Sequence, residues 1–199
     1  TRSLRLAAAG AYNQNTGDSS AHLDRNSIGT PTDGTKWTFS AWVKKNEIDS
    51  RNTIFSGGTN SANWSVFRFR DDAQGSGSQL FYDDYTDGSN NYNWRWSPKL
   101  RDPSAFYNLM LVYDASQSAM ADKLKLYING VLASSDHTRL TAPTTHVMSP
   151  NKSGMNQIIG NNSSNDAKAN LLIADVYFLD GVAKTVTGGV TDFTESNGY

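Results

Sequence analysis

Lys123-Leu-Lys-Leu-Tyr-Ile-Asn-Gly-Val131 is the stretch that decides the fold class. Leu124, Leu126 and Ile128 alternate with Lys123, Lys125 and Tyr127, the period-two pattern of a strand with one buried face. Asn129-Gly130 follows, a pair that tolerates positive φ and closes a two-residue hairpin, and Val131 opens the return strand.

Working outward, short aromatic or β-branched segments bounded by turn residues recur along the whole chain. In the first half the spacing predicts strands at Ser3–Leu6, Ala21–Leu23, Trp37–Lys44, Thr53–Ser56, Trp64–Arg70, Gln79–Tyr85 and Tyr92–Trp96. In the second half it predicts Tyr107–Tyr113, Lys123–Ile128, Val131–Ser134, Gln157–Ile159 and Leu171–Leu179. The segments between them, including 56–63, 83–91 and 160–170, read as loops. Trp37, Phe39, Ala41 and Val43 form one parity of a strand whose other parity includes Trp42, so that strand reads as buried on both faces. No internal repeat or linker composition divides the chain, and one domain over 1–199 is expected.

Composition agrees. The 199 residues include 19 Asn, 23 Ser, 17 Thr and 16 Gly, all of which favour turns, strands or caps over helix interiors. Only two glutamates, Glu47 and Glu195, stand against 17 aspartates, a poor supply for helices. The fold class expected is all-β, two stacked antiparallel sheets with 22 aromatic side chains to fill the core. With 18 basic and 19 acidic residues the chain lacks the basic surplus of a nucleic-acid binder. Without cysteine it has no disulfide frame, thiolate metal site or cysteine nucleophile. No apolar run approaches the roughly 20 residues of a membrane helix, so no membrane insertion is expected.

Four ordered segments carry a resemblance: Trp37-Thr-Phe-Ser-Ala-Trp-Val43, Leu100-Arg-Asp-Pro-Ser-Ala-Phe-Tyr107, Lys125-Leu-Tyr-Ile-Asn-Gly130 and Ala174-Asp-Val-Tyr-Phe-Leu-Asp-Gly181. Together they resemble the concanavalin A-like lectin/glucanase superfamily in its laminin-G-like form, of the kind found in bacteriophage tail-fibre and virion structural proteins. The resemblance implies a concanavalin A-like jelly-roll sandwich with loops along one rim. It also implies a concave face that often holds glycans or calcium. Phe106 and Asn108 stand where tryptophan and histidine are expected in the phage relatives, a change that keeps the packing. The tail Asp192-Phe-Thr-Glu-Ser-Asn-Gly-Tyr199 resembles a segment that continues in those relatives, which implies a longer parent chain.

A glycosidase of this superfamily needs two carboxylates flanking one sugar bond. The two glutamates lie in a loop and in the tail, and the adjacent Asp83-Asp84 pair would point to opposite faces of a strand. No enzyme is expected. No G-x-S-x-G elbow is present, and His22, His137 and His146 lack metal-ligand spacing and read as solvated. Calcium is the one cofactor with a candidate, since Asp83, Asp84, Asp87 and Asn90 offer oxygens within eight residues. The reading preferred for the same segment is a solvated turn held by its own side chains.

The expected function is carbohydrate binding, because sugars stack C–H faces on aromatic rings and bond to amides and carboxylates. The candidate residues are Tyr82, Asp83, Asp84, Asp87, Asn90, Tyr92, Trp94 and Trp96, with Trp64 and Asn162 behind them. Trp94 and Trp96 also read as core residues. The expected setting is the outer surface or tail of a virion. The partners expected there are host-surface polysaccharide, other virion proteins and further copies of the chain, a trimer if it forms a fibre. A purely architectural virion part, such as a capsid decoration or tail knob, is the alternative.

Overall fold

The Asn129-Gly130 hairpin forms as its residues dictate: φ is 51° and 81° at the two positions, and Ile128 pairs with Val131 across the turn. It lies at one edge of a two-sheet sandwich. The computed structural model describes residues 3–6, 22–47, 51–70, 77–86, 90–137, 142–162, 169–184 and 186. The strands among them are β1 (Ser3–Leu6), β2 (Leu23–Arg25), β3 (Lys36–Lys45), β4 (Asn52–Asn60), β5 (Asn63–Phe69), β6 (Gln79–Thr86) and β7 (Asn90–Lys99). They continue with β8 (Tyr107–Asp114), β9 (Leu124–Ile128), β10 (Val131–Leu132), β11 (Ser135–His137), β12 (Asn156–Ile159) and β13 (Leu171–Asp180). A six-stranded sheet runs β1-β13-β3-β8-β9-β10, and a seven-stranded sheet runs β11-β7-β6-β5-β4-β12-β2. This is the concanavalin A-like jelly-roll sandwich.

Most expected strands are present with shifted ends, and the differences have physical causes. Both 56–63 and 83–91 were expected as loops, yet β4 runs on through Asn60 and β6 through Thr86. Lys123 leaves the hairpin strand for a helical turn, α1 (Met120–Lys123), where its Nζ donates to the carbonyls of Ala115 and Gln117. Burial lowers its pKa, and the Asp114 charge opposes that shift. The strand expected to reach Ser134 stops at Leu132, and the chain crosses to the other sheet as β11. Strand β3 is buried on both faces at Thr38 and Ser40 but opens at Trp42, which is 40% exposed. Phe106 precedes β8 and lies on the surface instead of starting a buried strand.

Aromatic rings fill the space between the sheets. Phe39 of the six-stranded sheet stacks on Phe55 of the seven-stranded one, with centroids 4.5 Å apart. Trp37 touches Tyr82 at 6.0 Å and Tyr113 at 5.5 Å. Burying such rings is the main favourable term in folding, each worth about 2–3 kcal/mol. The 3₁₀ turn Ser149–Asn151 packs against β4 so closely that a Cβ at Gly57 would lie 2.5 Å from the nitrogen of Pro150. Only glycine fits that position.

Asp180 ties the end of β13 to that turn. It accepts hydrogen bonds from the Thr32 amide at 2.6 Å and from Asn151 Nδ2 at 2.9 Å. Burial would raise its pKa, but the bonds from Thr32 and Asn151 outweigh it and hold the carboxyl below 3.8. A depressed carboxylate stabilises the fold above its unfolded pKa, and that stability is lost as pH falls through the folded pKa. Asp180→Asn is therefore expected to cost about 1 kcal/mol at neutral pH. The gap from wild type should close as the pH drops below 3.8, read by urea unfolding across that range.

Candidate functional site

Cross-strand register decides where each expected binding residue faces. Tyr82 is paired with Phe67 and Trp94, and Asp84 with Ser65 and Tyr92. These side chains share the inward face. Tyr82, Trp94 and Trp96 are fully buried and Tyr92 nearly so, which removes all four from the surface as sugar-stacking rings. Trp94 donates its indole N–H to the Met120 carbonyl at 2.9 Å, anchoring α1 to the core.

Asp84 is a core residue as well. Its carboxylate accepts from Ser65 Oγ and from Thr86 Oγ1 (3.1 Å), and pairs with His146 Nε2 at 2.7 Å. His146 is thus buried against Asp84 and against the ring of Tyr92 at 4.7 Å, not solvated as its polar surroundings in the sequence suggest. Asp83 turns to the outer face of the same strand. There it forms an ion pair with Arg68 at 2.5 Å and accepts from Asn93 Nδ2 at 2.6 Å. Asp83 and Asp84 therefore point away from each other and cannot ligate one calcium ion. Asp87 lies outside the described residues, and of Asn90 only the backbone, at the start of β7, is described. Among the described residues no three His, Asp or Glu side chains gather as a metal site.

The outer face of the seven-stranded sheet keeps Trp64 and gains partners that sequence reasoning did not name. Asn156, Gly58, Trp64, Tyr85 and Asn91 are successive partners across β12, β4, β5, β6 and β7. The rings of Trp64 and Tyr85 stack at 5.7 Å with 22° between planes, and both are half-buried. Trp64 takes this face because Phe67 and Phe69, of opposite parity, take the core. Beside the pair, Gly58 adopts φ 137°, and a Cβ there would lie 2.5 Å from the Asn63 carbonyl oxygen. The missing side chain lets the β5 backbone approach β4 this closely next to the rings.

Gly58 also borders a polar cavity of about 170 Å³ lined by His22, Asp24, Thr59, Asn156, Asn161 and Asn162, with Ile158 beside it on the sheet. Asn156 accepts from the Ser27 amide through Oδ1 at 3.0 Å, which leaves its Nδ2 as a donor. Asn161 is fixed by its backbone, its carbonyl accepting from Ser56 Oγ at 2.8 Å. Its Oδ1 accepts from the Asn162 amide at 2.9 Å. The register thus places Trp64 beside the cavity that Asn162 lines. Asn156 and Tyr85 are found only through strand pairing, Asn156 with Gly58 and Tyr85 with Trp64, which no local pattern carries.

Two antiparallel sheets, stacked aromatics on an outer face and an amide-lined hollow beside them define a β-sandwich of the lectin architecture. The chain belongs to the concanavalin A-like lectin/glucanases superfamily, whose laminin-G-type family model matches residues 15–185. No curated protein matches the chain. Among solved structures it is similar to a heptameric SAP-like pentraxin from Limulus polyphemus, with 12% identity and TM-score 0.53, over 79% of this chain and 68% of the other. It is also similar to a candidate carbohydrate-binding protein from Bacteroides ovatus, with 20% identity and TM-score 0.56, over 82% and 42%. Domains LG4-5 of the mouse laminin alpha1 chain match at 9% identity and TM-score 0.54, over 84% and 42%. The chain spans less than half the length of the Bacteroides and mouse chains. These likenesses concern the fold.

Proposed function

We propose that this domain binds carbohydrate without cleaving it, on the outer face of the seven-stranded sheet. The observation that carries the reading is the stacked Trp64–Tyr85 pair, whose strand neighbour Gly58 borders the amide-lined cavity. A pyranose ring would lay its C–H face on the indole, and its hydroxyls would reach Asn156, Asn162 and Asp24. Amides suit this task because each offers two donors and an acceptor. The fold relative from Bacteroides, assigned to carbohydrate binding, lends support to the class.

Hydrolysis would need two carboxylates about 5–9.5 Å apart across the sugar bond. Glu47 accepts from Asn170 at 2.6 Å, Glu195 lies outside the described residues, and Asp83 is paired with Arg68. The proposed setting, a bacteriophage virion surface acting on host polysaccharide, rests on the four ordered segments that resemble phage proteins. A single shallow site binds weakly, and repetition in a trimeric fibre would raise avidity without new contacts.

Trp64→Ala is the test. It removes a half-exposed ring and one ring–ring contact worth about 1 kcal/mol, so the fold should persist with a nearly unchanged urea midpoint. Binding on a glycan array should fall at least tenfold. Undiminished binding by the folded variant would sink this placement of the site.

A further inference from the structure

The opposite outer face, that of the six-stranded sheet, carries a second set of exposed rings. Trp42 is 40% exposed, Phe106 39% and Tyr177 45%. Register lays this face out in rows. Ala174, Trp42 and Asn108 are partners across β13, β3 and β8, and the next row is Tyr177, Ser40, Met110 and Tyr127. Lys44 holds its ammonium 5.8 Å from the centre of the Phe106 ring. Small residues, Ala174 and Ser40, therefore sit beside the indole and leave its face open. The far end of the sheet is closed differently, since the chain after β13 returns over it and Thr38 Oγ1 donates to the Val182 carbonyl at 2.7 Å.

One polar atom on this face is out of place. Asn108 is 9% exposed, and its Oδ1 is buried without a hydrogen-bond partner. Its neighbour Asn129 engages only its backbone, through the Asn108 amide to Asn129 Oδ1 at 2.9 Å and the Asn108 carbonyl from the Asn129 amide at 2.8 Å. A buried acceptor left unsatisfied costs about 1–3 kcal/mol, and native proteins keep few of them. Asn108 is directly opposite Trp42 in register, so the two are cross-strand neighbours on this face.

We propose that this face holds a second carbohydrate subsite, resting on the carbohydrate-binding reading above, with Trp42 as the stacking platform and Asn108, its side chain turning the orphaned Oδ1 outward on binding, as the acceptor for a sugar hydroxyl. The occupant must present an apolar face to the indole and a donor at its rim, at the separation of two neighbouring strand positions. A pyranose does so, with axial C–H groups on its face and hydroxyls around its edge. A purely apolar partner surface would leave Asn108 Oδ1 as costly as before. The polar and small side chains between the rings also break up the contiguous apolar centre that a protein-docking patch requires. A β-bulge between Ala174 and Tyr177, with Asp175 at φ 49°, turns the strand beside Trp42. Such bulges re-aim side chains where function needs it. Two subsites on opposite faces would let one domain bridge two glycan chains.

Tryptophan fluorine NMR separates the two faces, because Trp37, Trp94 and Trp96 are fully buried while Trp42 and Trp64 are not. Protein labelled with 5-fluorotryptophan is titrated with soluble hexasaccharides of glucose, galactose, mannose and N-acetylglucosamine, and with polysaccharide released from bacterial surfaces. The signals are assigned by Trp42→Phe and Trp64→Phe. The expected result is a saturable shift of the Trp42 signal that persists in Trp64→Ala. Asn108→Leu should weaken that titration at least tenfold, with an unfolding midpoint unchanged or raised because the orphaned acceptor is gone. A merely structural asparagine would give the opposite pattern. A silent Trp42 under a glycan that shifts Trp64 overturns this subsite and leaves the first intact. Silence of both under every probe overturns both. A Trp42 shift that follows protein concentration without sugar assigns the face to contact between copies and overturns the subsite.

Discussion

Trp94→Ala is expected to destabilise the domain strongly, whatever it does to ligand binding. The side chain is fully buried between the sheets, packs edge-to-face on Tyr82 at 6.1 Å and donates to the Met120 carbonyl at 2.9 Å. Truncating a buried aromatic costs about 3–5 kcal/mol, as transfer free energy plus the cavity left behind. A domain of this size is stabilised by only about 5–15 kcal/mol, so the loss is a large share of the total. The freed carbonyl of Met120 adds to it. Urea unfolding should show a midpoint shift at constant slope. Trp94→Phe separates the two parts: it keeps most of the packing, loses the N–H donor and should cost about 1–2 kcal/mol. Loss of glycan binding at unchanged stability in Trp94→Ala would instead mark Trp94 as a ligand residue and contradict its placement in the core.

That prediction reverses the role expected from sequence, and the reason is instructive. The parity of Tyr92, Trp94 and Trp96 against Asn93 and Arg95 is legible in the residues themselves, and so is that of Phe67 and Phe69 against Trp64. Parity alone does not say which side the other sheet covers. On β7 the acidic, amide-rich segment next door suggests an open rim, yet β6 continues through Asp83 and Asp84 because each finds partners. Asp83 has Arg68 and Asn93; Asp84 has Ser65, Thr86 and His146. His146 lies 62 residues away, so no local pattern announces the pairing. The hairpin at Asn129-Gly130 was legible because both its partners are adjacent. Trp64 was legible as an outward ring, whereas its stacking partner Tyr85 and its neighbours Gly58 and Asn156 depend on register between distant strands.

The second large effect is expected at that buried pair. Asp84 has no exposed surface, and His146 Nε2 meets its Oδ2 at 2.7 Å with little exposure of either side chain. Asp84→Ala strips one partner from three groups at once: the His146 ring, Ser65 Oγ and Thr86 Oγ1. Removing one member of a buried polar pair costs about 3–5 kcal/mol, mainly because its partner is left buried and unsatisfied. The effect should spread to the 3₁₀ turn, since the Ser149 amide donates to Ser65 Oγ at 3.2 Å and that hydroxyl loses its own acceptor. His146→Leu alone should be destabilising too, leaving the carboxylate with only Ser65 and Thr86. The double variant, Asp84→Ala with His146→Leu, should recover a substantial part of the summed loss, because two apolar side chains need no partners in the core. A double-mutant cycle by urea unfolding measures this coupling. Strictly additive losses would mean that Asp84 and His146 act independently and that the contact between them contributes nothing. Coupling of about 1–3 kcal/mol would identify the pair as the polar clamp joining β6 to the segment that carries His146.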